Sequence, residues 1–307
     1  MKIVVYGPER RVGALLDDIV VDLAADLGAF IEAGPRAIDS AEKQVAGRRG
    51  LVHETRSVRL HAPHVRGARI ACAGGNFADH TAAMAERRSD VPNFSADLVA
   101  IAAEMRARGI WGFWKVVRDA AGPGDDIRYP ARTKLLDYEG ELAVVVGRGG
   151  RDIRAEAVLQ HVWGVTLFAD WSLRDGIEPP APQQFSMRKN FDTCFSMGPC
   201  IVVGEGIDPA NVQIQTYVNG ELRQNFNTRD MVVSFGEYLA YLSRDLTFHP
   251  GDALSGGTAA GTAADSSAIS KDGVYAPERF LKPGDVVEVR SPVIGVLGSR
   301  IVAASPA

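Results

Sequence analysis

Glu139 and Glu141 flank a glycine in the run Asp137-Tyr138-Glu139-Gly140-Glu141, directly before the apolar segment 142–146. On a strand, alternate side chains share a face, so both carboxylates point the same way. Adjacent carboxylates repel unless positive charge lies between them. A hard divalent cation with oxygen ligands supplies it. The plainer alternative is a solvated strand start carrying two exposed acids. Asp170 closes a second apolar run, 162–168, and Arg174 follows four residues later. An arginine there offers a fork for a carboxylate, unless Asp170 merely caps a turn and Arg174 is its surface partner. Taken together, three carboxylates from two strands make an open oxygen site suited to Mg2+ or Mn2+.

A base has its own candidate. His80 lies in Gly74-Gly75-Asn76-Phe77-Ala78-Asp79-His80, after a glycine turn, with Glu86 six residues on. A histidine oriented by a carboxylate acts as a general base, though six residues do not return to quite the same helix face. Lys189 and Lys115 are either surface lysines or neutralisers of an anionic substrate or enolate. His53, His61 and His64 fit no zinc spacing and read as scattered linker histidines. The loop Gly256-Gly257-Thr258-Ala259-Ala260-Gly261 lacks the lysine and setting of a phosphate loop.

The elements that must position these groups are mostly strands. Segments 3–6, 11–16 and 19–23 predict an antiparallel meander. Residues 24–50 suggest one or two short helices, and a boundary falls near 62–67, before the strand 70–73. Residues 95–108 predict a helix with Ser95 as its cap and Gly109 as its stop. Segments 141–147 and 162–168 read as fully buried strands, with a helical pattern at 151–160 between them. Further strands are expected at 200–204, 212–218, 285–290 and 293–303, a hairpin turn at Asn219-Gly220, a helix at 234–244 and loop throughout 255–273. The fold class is α+β and β-rich, with a small N-terminal α/β domain over residues 1–64 and a catalytic domain over 65–307.

Composition narrows the function. The 307 residues carry 34 Lys plus Arg against 38 Asp plus Glu, a formal charge of −4. That argues against broad nucleic-acid binding, which needs a basic surface. No apolar run approaches a membrane span of roughly 20 residues. The N-terminus reaches Pro8 and Glu9 too soon for a signal peptide, so a cytoplasmic location is expected. Three cysteines make no disulfide framework.

In order along the chain, GGNFADH (74–80), GFWK (112–115), LLDYEGELAVVVG (135–147), GVTLFADWSLRD (164–175), RKNFDTCFSMGPCIV (188–202), VNGELRQNFNTRDM (218–231), YLSRDLTFHPGD (241–252), GGTAAG (256–261) and LKPGDVVEV (281–289) resemble the fumarylacetoacetate hydrolase family. The resemblance implies a barrel-like β-roll, usually paired as a homodimer. It implies Mg2+, Mn2+ or Ca2+ on Glu139, Glu141 and Asp170, and a small anionic oxo acid as substrate. It makes His80 and Lys189 catalytic, with Phe77, Lys115, Arg174, Gly257 and Thr258 around the substrate. The family's partner glutamate stands three residues after the histidine. Here that position is Ala83, which leaves as the partner either Glu86 or an acid from elsewhere in the chain. Ile177 stands where the family often has glutamine, and Gly256 and Ala259 depart from its threonine-glycine-threonine-proline pattern.

The expected activity is metal-dependent hydrolysis of a C–C bond in an acylpyruvate-like or diketo acid. The alternatives are decarboxylase, tautomerase or lyase chemistry through a metal-bound enolate, and a catalytically silent metal-binding protein. Specificity is expected from the segment 84–114 and from Trp111, Trp114, Trp171 and Ile177, which suggest a bulky or aromatic substrate tail.

Overall fold

A computed structural model describes residues 1–304 except 48–49, 87–96, 176–183, 205 and 272. The chain opens with β1 (Lys2–Tyr6), β2 (Arg11–Leu16), β3 (Ile19–Ala24), α1 (Leu27–Glu32), α2 (Pro35–Ala46), β4 (Val52–Glu54) and β5 (Leu60–His61). Its middle third holds β6 (Ile70–Ala73), α3 (Ala78–Glu86), α4 (Leu98–Arg108), β7 (Gly112–Lys115), β8 (Asp126–Arg128), β9 (Leu136–Asp137), β10 (Gly140–Val146), β11 (Val162–Asp170), β12 (Ser172–Leu173) and α5 (Gln184–Lys189). The remainder holds β13 (Phe195–Val203), β14 (Gln213–Val218), β15 (Glu221–Asn227), α6 (Phe235–Leu242), β16 (Ala253–Ser255), α7 (Ala263–Ser266), β17 (Val286–Ser291) and β18 (Gly295–Val302).

Eleven strands form one sheet in the order β4-β3-β2-β1-β13-β11-β10-β16-β6-β7, with β5 on β1. The N-terminal meander joins this sheet through β1, where Lys2 lies opposite Val202 and Ile3 opposite Ile201 of β13. β10 and β13 are buried along their whole lengths, and β11 from Gly164 onward. That accounts for their near-continuous apolar runs, since both faces are covered. Beyond β7 the chain returns to β13 at a bridge between Ala121 and Ser196, so the sheet curls like a roll. A second sheet, β15-β14-β17-β18-β8, alternates buried and exposed residues and covers one face of the first. Its Ile214, Val287, Val289 and Leu297 share a core with Leu142, Val144, Val165 and Leu167. On the other face, α1 and α2 contribute Phe30, Ile31 and Ala41 to a core with Ala143, Val145 and Phe168. No helix among the described residues is long and apolar enough to cross a membrane.

Local signals explain most elements. Asn219 and Gly220 both have positive φ, 51° and 81°, and turn the β14–β15 hairpin. Helix α6 starts at a reciprocal capping box between Ser234 and Glu237. Helix α4 begins later than expected. Its cap is Asp97, whose carboxylate accepts from the Val99 and Ala100 amides, and Ser95 lies outside the described residues. The stretch 255–273 is not all loop. Ser255 ends β16, and Thr262 caps the short helix α7 by accepting from the Asp265 amide. Small residues over 255–273 concealed that cap.

The turn after β6 is pinned by Asn76, which is 4% exposed. Its amide nitrogen donates to the Val233 and Gly256 carbonyls, and its oxygen accepts from the Val233 amide. Replacing it leaves three backbone groups without this partner, the buried Gly256 carbonyl and the half-buried Val233 amide and carbonyl. Asn76→Ala should therefore cost roughly 2–3 kcal/mol of stability, read as a lower urea midpoint at unchanged slope. An unchanged midpoint would show that the turn is held by other contacts.

Candidate active site

Glu139, Glu141 and Asp170 converge at the start of β10 and the end of β11. In that antiparallel pair Gly140 lies opposite Ala169 and Glu141 opposite Phe168, and the Asp170 amide donates to the Glu139 carbonyl at 2.9 Å. Register thus puts Asp170 beside Glu139. One ligand oxygen from each of the three residues lies within 4.8 Å of the others, and all three residues are buried. Gly140 is required between the glutamates because its backbone runs against β14. A Cβ there would meet Thr216 Oγ1 at 2.1 Å. Its amide donates to Gln224 Oε1, and its carbonyl accepts from Thr258 Oγ1.

Three cations share this space. Lys189 Nζ donates to Glu139 Oε2 at 2.6 Å, Asp170 Oδ2 at 2.9 Å and Ser172 Oγ at 2.7 Å. Lys115 Nζ donates to Asp170 Oδ1 and to the Lys189 and Cys194 carbonyls. Arg174 spans Asp137 and Glu139. Burial alone would raise the Glu139 pKa. Lys189, Arg174 and His80 more than offset it and hold this carboxyl well below the usual range. Glu141 differs. Burial, reinforced by the charges of Asp170 and Glu139, pushes it well above the usual range, and its hydrogen-bond donor is the neutral Ser255 hydroxyl. Among the described residues, Asp137, Glu139 and Asp170 each contact a cation, and Glu141 contacts none. This donor set fits a hard divalent cation: three buried carboxylates short of one positive partner.

The dyad takes a form the local sequence did not show. His80 Nδ1 lies 2.7 Å from Asp265 Oδ2, with side-chain exposures of 14% and 1%. Asp265 also accepts from the Gly261 amide. Glu86, the expected partner, is exposed at the end of α3. Six residues carry it about 240° around the helix from His80. His80, Thr81, Met84 and Ala85 form the other face, which lines a cavity of about 610 Å3. Glu139, Glu141, Arg174, Lys189 and Thr258 line the same cavity, with Trp111, Phe113, Arg188 and Tyr275.

Asp137 supports both halves. It is fully buried and accepts from Arg174 Nε and from the first amides of α7, Ala263 and Ala264. The helix that carries Asp265 is thereby tied to the arginine that holds Glu139. A sequence signal for Asp265 existed. Thr262-x-x-Asp265 has the spacing of a helix cap.

Several expected substrate contacts belong to the scaffold. Phe77 is packed edge-to-face on Phe226 with centroids 5.1 Å apart. Lys115 is sealed from solvent with its three N–H groups engaged. Gly257 lies against the Ala73 carbonyl, outside the cavity lining. Thr258 lines the cavity, but its hydroxyl donates to Gly140 and accepts from Gln224. Trp171 is buried on Ser196, and Trp114 packs near Phe248 and Arg69, leaving Trp111 as the tryptophan at the cavity. Ile177 lies outside the described residues.

The close fit at Gly140 gives a prediction. Gly140→Ala should separate β10 from Thr216, displace both glutamates and weaken Mn2+ binding by at least about tenfold, measured calorimetrically. Wild-type affinity in this variant would show that the site tolerates the added methyl.

The fumarylacetoacetate hydrolase C-terminal family model matches residues 69–302. The mitochondrial oxaloacetate tautomerase of Xenopus laevis is 31% identical over 307 residues, covering 96% of this chain and 87% of the relative. The oxaloacetate tautomerase of Bacillus subtilis (strain 168) is 30% identical over 285 residues, covering 92% and 86%. The structure of a fumarylacetoacetate hydrolase from psychrophilic Exiguobacterium antarcticum is 30% identical, with a TM-score of 0.75 and 99% of each chain covered. With the family model matched over most of its length, and with relatives of this similarity end to end, the chain belongs to the fumarylacetoacetate hydrolase family.

Proposed function

We propose that the protein is a divalent-metal-dependent enzyme that interconverts the keto and enol forms of a small 2-oxo acid. The observation that carries this reading is the His80–Asp265 pair, at 2.7 Å, lining the same cavity as the three carboxylates. Glu139, Glu141 and Asp170 would hold Mg2+, Mn2+ or Ca2+, and that ion supplies Lewis-acid charge where the substrate oxygen becomes negative. Moving a proton between carbon and oxygen needs one base that takes it and gives it back. With Nδ1 on Asp265, His80 has Nε2 left for that proton. Asp265 fixes the ring and balances the charge it gains. Lys189 keeps Glu139 and Asp170 together, and Arg174 and Asp137 brace them from behind. Phe113, Met84 and Trp111 shield part of the cavity from water, which strengthens every charge interaction inside. The two tautomerase relatives support this reading.

Hydrolysis of a C–C bond in an acylpyruvate-like acid is the second reading. The same dyad can activate water in place of carbon, and the Exiguobacterium relative is named a hydrolase. The division into residues 1–64 and 65–307 belongs to this reading, supported by a family match that begins at residue 69. We also propose a homodimer, with membership in the family as the support, and a cytoplasmic location, supported by the Bacillus subtilis relative and not by the mitochondrial one of Xenopus laevis. A monomer mass from light scattering in solution would remove the homodimer.

Enol formation from oxaloacetate and cleavage of acylpyruvates, each followed by ultraviolet absorbance with and without chelator, separate the two readings. Chelator-sensitive enol interconversion without cleavage is expected. Cleavage would favour the hydrolase. Metal binding with neither activity would leave a silent binding protein. His80→Ala should lower kcat by about 10²–10⁴-fold while sparing Mn2+ binding. Asp265→Asn should lower it by a smaller factor, and Glu86→Gln should not. A Glu86 variant as impaired as the Asp265 variant would overturn the assignment of the dyad.

A further inference from the structure

Three cations line the cavity: Arg174, Arg188 and Lys189. Two are committed to the protein. Lys189 spends its three N–H groups on Glu139, Asp170 and Ser172. Arg174 spans Asp137 and Glu139. Arg188 has no side-chain hydrogen bond or ion pair among the described residues, and its buried Nε finds no acceptor. A buried guanidinium N–H without an acceptor is costly to leave unmade. The acids at the cavity do not supply one. Glu139 and Asp170 hold the two lysines and Arg174, Glu141 accepts from Ser255, and Asp265 holds His80 and Gly261. Arg188 stands in the last turn of α5, next to Lys189, so the backbone that places the lysine also places this arginine at the cavity wall.

We propose that Arg188 binds the second carboxylate of the substrate, which makes the enzyme selective for dicarboxylic 2-oxo acids over monocarboxylic ones. A guanidinium offers two parallel N–H groups matched to a carboxylate, and its unpaired state in the free protein leaves that fork available. The 2-oxo end of the substrate goes to the three carboxylates and their cation. The distal carboxylate goes to Arg188. The cavity, at about 610 Å3, accommodates a four- or five-carbon diacid together with water. Of the tryptophans expected around a bulky tail, Trp114 and Trp171 are packed away from the cavity and Trp111 lines it, so the wall offers Arg188 for an anionic group beside one aromatic ring. Arg188 acts in this scheme as a specificity residue, and it needs no part in proton transfer.

The inference rests on the 2-oxo acid reading above, but its test is a binding measurement that does not depend on turnover. Calorimetry with Mn2+-loaded protein compares L-malate with L-lactate, two stable 2-hydroxy acids that differ in the distal carboxylate. Wild type should prefer malate by about tenfold to a hundredfold. Arg188→Met should bring malate down to the lactate level and leave lactate unchanged, which also controls for folding. Arg188→Lys should recover part of the preference. A wild type without preference for malate, whether both acids bind equally or neither binds, overturns the proposal. So does an Arg188→Met variant that weakens both acids alike. A kept malate preference in an enzyme that turns over no oxo acid would remove the catalytic reading and leave this one standing.

Discussion

The structure depends on keeping four buried carboxylates, Asp137, Glu139, Glu141 and Asp170, in one place without letting them repel each other apart. Charge removed from water is expensive unless paired with good geometry. The chain answers with Lys115 from β7, Arg174 from beyond β12 and Lys189 from α5, each touching at least one of the acids. The contacts join distant parts of the chain: Lys115 and Asp170 are 55 residues apart, Lys189 and Glu139 are 50. The sheet order is what brings them there. The run from β9 into β10 and the end of β11 hold the acids, β7 reaches the cluster through the curl of the sheet, and the chain after β7 closes the gap at Ala121 and Ser196.

The same constraint sets the chemistry. Three lysine and arginine charges settle Asp137, Glu139 and Asp170, and Glu141 is left with a hydroxyl. The unevenness is functional in its physical form: a cluster fully neutralised by its own side chains would offer nothing to a cation. Asp137 extends the cluster to α7, so the base pair His80–Asp265 and the carboxylates rest on one shared support. Displacing that support would move the His80–Asp265 pair and the carboxylates together. Asn76 and Thr258 hold the two loops that flank it.

Much of this was legible along the chain. The glutamate pair around Gly140 and the aspartate closing the next apolar strand were readable because strand alternation and antiparallel pairing are local rules. The hairpin at Asn219-Gly220, the N-terminal meander and helix α6 were readable for the same reason. The partner of His80 was not. Glu86 is close in sequence but on the wrong side of α3, whereas Asp265 is 185 residues away and sits in a stretch of glycine, alanine and serine. Phe77, Lys115, Trp114 and Trp171 were misplaced for a related reason: residue type shows what a side chain is able to do, not whether it faces a cavity or a core.

By itself, then, the sequence determined the strands, the three carboxylates that converge and the family. Each of those is written in nearest-neighbour spacing, turn chemistry or ordered motifs. Only the tertiary structure decided which acid orients the histidine, which lysine is sealed into the scaffold and which arginine is left unpaired at the cavity wall. Those outcomes depend on distances between segments that share no local pattern, and in a buried site a few ångströms separate a spent charge from an available one.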